Sequence, residues 1–72
     1  MLKAVIQNVK VFQFHGEPYF EVAFSYVEDP EHIQRCRLGN DALPPHTKAG
    51  DIVWVQTMMS TVVAFHKKPP NT

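Results

Sequence analysis

The tract Lys48-Ala49-Gly50-Asp51-Ile52-Val53-Trp54-Val55 turns within a few residues from loop chemistry to a β-branched and aromatic run. Glycine and charge end one element, and the apolar run that follows reads as a buried strand. Similar punctuation at Gly16-Glu17-Pro18 and Asp29-Pro30 cuts the rest of the chain into strand-length pieces. That pattern predicts a small, mainly β domain.

The first element runs from Leu2 to Phe14. Ala4 and Ile6 share one face, Val9 and Val11 take the other, and Phe12 and Phe14 return to the first; a bulge near Gln7-Asn8 accounts for the change of phase. After the turn His15-Gly16-Glu17-Pro18, residues Tyr19 to Val27 alternate. Phe20, Val22, Phe24 and Tyr26 lie on one face and Glu21, Ala23 and Ser25 on the other, so the two elements form a hairpin with a half-buried second strand.

Residues 30–38 read two ways. Asp29 is a good helix N-cap, Pro30 suits the first helical position and Gly39 could close a helix. Asp-Pro also starts turns, and Gln34, Cys36 and Leu38 alternate with Ile33, Arg35 and Arg37 as in a strand. The strand is preferred because it makes a three-stranded meander from sequential neighbours.

The longest connection, Asn40 to Gly50, carries Ala42 and Leu43 as a hydrophobic anchor. Ile52 to Met58 forms a fourth strand, apolar from Ile52 through Val55 as if covered on both faces, and Val62 to His66 a fifth. Five short strands and one long loop predict a partly open barrel of OB or SH3-like type over residues 1–68, with 69–72 a disordered tail. The expected core is Ile6, Phe20, Val22, Phe24, Ile52, Val53, Trp54, Val55, Val63 and Phe65.

On folding, a chain of 72 residues buries only roughly 60% of the surface it exposes unfolded, so association into a homodimer is expected, through strand edges and the Met58-Met59 pair. Seven basic residues balance seven acidic ones, so any attraction for nucleic acid must come from a local patch. A single cysteine, no signal-peptide pattern and no run of about 18 apolar residues make a cytoplasmic protein without a membrane span the expectation.

Nothing points to catalysis, so the chain is read as a non-enzyme without cofactor or small-molecule substrate. His15, His32, His46 and His66 lack the close spacing of a zinc site, and Cys36 fits a half-buried core thiol better than a nucleophile. The glycines at 16, 39 and 50 are isolated, which excludes a phosphate-cradling loop. Glu28, Asp29 and Glu31 sit where charges solvate cheaply.

What remains is aromatic residues interleaved with bases, the pattern by which OB barrels hold single-stranded DNA or RNA. Phe12, Phe14, Tyr19 and Tyr26 lie on or beside the first hairpin, and Lys10, Arg35, Arg37, Lys67 and Lys68 border it. Evenly spaced rings in a small β domain are ordinarily core, as expected for Phe20, Phe24 and Trp54. Tyr19, on the polar face opposite Phe20 and Phe24, is the better binding ring, and Phe14 beside the turn comes next.

Gly16-Glu17-Pro18-Tyr19, followed by Glu21, Phe24, Glu28-Asp29, Gln34 and Cys36, and then Pro45 and Gly50 before a strand, resembles the layout of filamentous-phage single-stranded DNA-binding proteins. The resemblance covers residues 16 to 55 and implies a small OB-type dimer that coats single-stranded DNA cooperatively. One departure concerns the main DNA contact. Where that family carries a long basic wing before its Gly-x-Pro-Tyr, this chain has only Gln13-Phe14-His15. A rival reading is a protein-interaction barrel with no nucleic-acid role, which the zero net charge favours; clustering of Lys10, Arg35, Arg37 and Lys67-Lys68 on one face would favour nucleic acid.

Overall fold

His15 and Gly16 both take positive φ, 53° and 80°, the dihedrals that a two-residue type I′ turn needs. The turn folds Leu2–Phe14 (β1) back on Glu17–Tyr26 (β2) in an antiparallel ladder from Phe14↔Glu17 to Ala4↔Tyr26. A computed structural model describes residues 1–69, and in it Gln34–Gly39 (β3) pairs with β2, while Ile52–Met58 (β4) pairs with the first part of β1 and with Thr61–His66 (β5). All pairings are antiparallel, and the sheet order is β3-β2-β1-β4-β5. The sheet curls until its edge strands β3 and β5 approach each other without a ladder, giving a small, partly open barrel. No helix among the described residues is long and apolar enough to cross a membrane.

The expected bulge lies between Ile6 and Asn8, and it reverses the expected face assignment. Gln7 is the extra residue, so Val9 and Val11 stay on the inner face with Ala4 and Ile6, opposite Val22 and Phe20. Phe12 and Phe14 are thrown to the outer face instead. The bulge is anchored where the Gln7 side-chain amide donates to the Ser25 hydroxyl at 2.9 Å, which satisfies a side chain only 1% exposed. Ala23 and Ser25 are therefore buried on the face that alternation had marked polar.

The core is Ala4, Ile6, Val22, Phe24, Leu38, Leu43, Val53, Val55 and Phe65, with Phe24 and Phe65 edge to face at 5.2 Å. Leu43 anchors the long loop as expected, behind a single 3₁₀ turn, Asn40–Ala42. Three expected core residues are placed differently. Ile52 is exposed and Trp54 half-buried, because β4 alternates: only Val53 and Val55 face inward, and the run is not covered on both sides. On β5 a register shift leaves Val63 unpaired, so Val62 packs against the core in its place.

The alternative helix over 30–38 does not form. Cys36 and Leu38 pair with Val22 and Phe20, and the burial gained on β2 outweighs the helix-cap signal of Asp29-Pro30. Asp29 starts a turn, and its carboxylate takes His32 Nδ1 at 2.6 Å. Of the expected tail, Pro69 follows the last strand, and residues 70–72 lie outside the described residues.

Candidate nucleic-acid interface

The β1–β2 and β2–β3 ladders decide which side chains share the outer face. Phe12 pairs with Tyr19, Lys10 with Glu21, and Asn8 with Ala23; Glu21 in turn pairs with Arg37, and Ala23 with Arg35. Paired residues of an antiparallel sheet point to the same side, so these eight share one face: Lys10-Glu21-Arg37 and Asn8-Ala23-Arg35 form two adjacent rows across three strands, and the Phe12–Tyr19 pair lies next to them, nearer the hairpin tip. Phe14 continues the face at the tip, 62% exposed and edge-on to His15 at 4.2 Å.

The Phe12 and Tyr19 rings stack with centroids 5.5 Å apart and planes 22° from parallel. Behind them Glu21 lies between Lys10 and Arg37, and its Oε2 is 3.5 Å from Arg37 Nε. Such a solvent-facing pair is worth at most about 1 kcal/mol, so Arg37 remains available to a stronger anion. Ala23, the smallest side chain of the rows, floors a groove of about 300 Å³ whose walls include Asn8, Lys10, Ile33 and Arg35.

Of the residues singled out in the sequence, Lys10, Phe14, Tyr19, Arg35 and Arg37 thus share one face. Lys67 and Lys68 do not join them; they follow β5 at the other edge of the sheet and line a separate depression with Asp41 to Pro45. Tyr26 faces inward, edge-on to Phe24 at 5.5 Å. Glu21 and the small floor residue Ala23 were the parts missed; Phe12 was among the hairpin rings read from the sequence but on the wrong face, and counting the bulge at Gln7 as a change of parity would have set it beside Tyr19. Trp54 also lies on the outer surface, with Lys3 Nζ 5.5 Å from its ring centroid, a cation–π contact.

Cys36 is on the inner side of β3 opposite Val22, where burial pushes its thiol up to about 11. A thiol so displaced holds its proton at neutral pH and is a poor nucleophile. Among the described residues no three His, Cys, Asp or Glu side chains converge as a metal site would require. Compared with known protein-family models, curated proteins and solved structures, the chain has no match.

Proposed function

We propose that this protein is a small OB-type module that binds single-stranded nucleic acid on the outer face of β1, β2 and β3, with little sequence preference and no catalytic step. One observation carries the reading: a stacked Phe12–Tyr19 pair bordered on the same face by Lys10, Arg35 and Arg37. Bases stack on rings irrespective of sequence, and cations beside them take the phosphates. The net charge of zero makes this a local track without long-range steering.

The OB assignment is supported by the strand order. A meander of three strands is followed by a pair that returns to the far side of β1, so that β3 and β5 meet at the seam, as in a five-stranded Greek-key barrel. The resemblance of Gly16-Glu17-Pro18-Tyr19 and its surroundings to phage single-stranded DNA-binding proteins points the same way.

Titration of a labelled oligonucleotide of about ten to twenty nucleotides tests the reading. Binding is expected at low salt, falling with a log–log slope of about −2 if three phosphates are neutralised. Absence of binding at low salt would leave the rival, a protein-interaction barrel, for which the exposed apolar Phe14 at the hairpin tip would then be the contact.

A further inference from the structure

On the side of β1 away from β2, pairing stops early. The β4 ladder ends at Val5↔Ile52, and the last backbone bonds on that side join Ile6 to Gly50 and Asp51. From Asn8 to Phe14, no described strand pairs with this edge. The segment Pro44 to Ala49 stands off from it, leaving a cleft of about 540 Å³ bordered by Asn8, Val9 and Val11.

The hydrogen-bonding phase of this edge follows from one residue. Gln13 pairs with Pro18, which has no N–H, so theirs is a non-hydrogen-bonded pair; Val11↔Phe20 and Val9↔Val22 share that phase. In such pairs the N–H and C=O groups turn away from the partner strand. Val9, Val11 and Gln13 therefore present three donors and three acceptors outward, in an array symmetric about Val11. The devices that normally blunt an edge are nearly absent: no proline lies within Asn8–Phe14, and Lys10 is its only charge. Val11 is 63% exposed.

We infer that this edge pairs antiparallel with the same segment of a second copy, with Val11 on the two-fold axis. That register uses the whole free edge, and the outward groups of Val9, Val11 and Gln13 meet those of the partner's Gln13, Val11 and Val9. It also sets Lys10 on the outer face opposite the partner's Phe12, and the reverse, so each cation meets a ring and the two lysines avoid each other. A register centred on Lys10 would oppose like charges. The interface is isologous and closes, so it stops at a dimer. The expected association thus finds its surface at β1 and not at Met58-Met59, and the two outer faces become one surface.

Sedimentation without nucleic acid tests this independently of the ligand proposal. The native chain should sediment at twice the chain mass, as should Met59→Glu. Val11→Glu and Val11→Lys, each with a β-type circular dichroism spectrum, should sediment as single chains, because each places like charges across the axis. Mixed one to one, the two variants should recover the double mass. A native chain that is monomeric throughout, a Val11→Glu variant that still dimerises, or a mixture that stays monomeric would each overturn the inference.

Discussion

Phe12 and Tyr19 face each other across the β1–β2 ladder with ring centroids 5.5 Å apart and planes 22° from parallel, on the side of the sheet away from the core. Aromatic pairs of this geometry contribute about 0.5–1.5 kcal/mol beyond their burial. Under the proposed function, the same pair is the surface on which a base stacks. Tyr19→Ala is expected to cost about 1–3 kcal/mol in oligonucleotide affinity, and Phe12→Ala a similar amount, while Tyr19→Phe keeps most of it. Fluorescence anisotropy on the three variants checks this; equal losses for Tyr19→Phe and Tyr19→Ala would show that the ring face is not what binds.

Glu21 tempers the cations around it. Its carboxylate pairs with Arg37 at 3.5 Å and lies across the ladder from Lys10. Glu21→Gln should therefore tighten oligonucleotide binding and steepen its salt dependence, whereas Arg35→Ala should reduce the slope by about 0.7, one phosphate's share on a single strand. Affinities at three salt concentrations measure both. Weaker binding by Glu21→Gln would contradict the placement.

Much of the fold was legible because local chemistry and tertiary pairing agree. The long bulged first strand, the Gly16 hairpin, the Leu43 anchor and the strand from Ile52 all follow from turn residues and periodicity. Faces were harder. A bulge changes parity, and nothing local to Gln7-Asn8 says which residues it carries across; the Gln7–Ser25 bond that holds it joins residues far apart in sequence. The same blindness put Trp54 in the core, since its apolar neighbours Ile52 and Val53 hid the alternation of β4. For the candidate interface, the individual residues were readable but their company was not. Arg35 and Arg37 share a face with Lys10 only because β2 lies between them in register.

The β4–β5 turn is a place where the chain departs from its best chemistry. Met59 and Ser60 take φ of 51° and 68°, the left-handed region in which side chains with a Cβ are disfavoured by roughly 1–2 kcal/mol per residue. Asn-Gly is the favoured pair for such a turn. Met59→Asn combined with Ser60→Gly should stabilise the protein by about 1 kcal/mol, raising Tm by about 4–8 °C for a domain of this size. An unchanged or lower Tm in calorimetry would show that this turn is unstrained.

Cys36 gives stability an alkaline limb. Its thiol is raised from an ordinary 9.0 to about 11 by burial. Well below pH 9 the group is protonated in both states and contributes nothing to pH dependence. Between about 9 and 11 the unfolded chain has released a proton that the native state still holds, so stability falls as pH rises through that window. Urea midpoints on either side of pH 9 should show the decline in the native chain and a shallower one in Cys36→Ala. Identical slopes would mean that the thiol ionises in the folded protein as easily as in water.

The central claim is that the outer face of β1, β2 and β3 is a single-strand track, and amide chemical-shift mapping during titration with a short oligonucleotide at low salt tests it most directly. The shifts should cluster at Lys10, Phe12, Tyr19, Ala23, Arg35 and Arg37, leaving Val53, Val55 and the Met59-Ser60 turn unmoved. No shifts at all, or shifts centred on Asp41 to Pro45 and Lys67-Lys68 with the Phe12–Tyr19 pair silent, would contradict it.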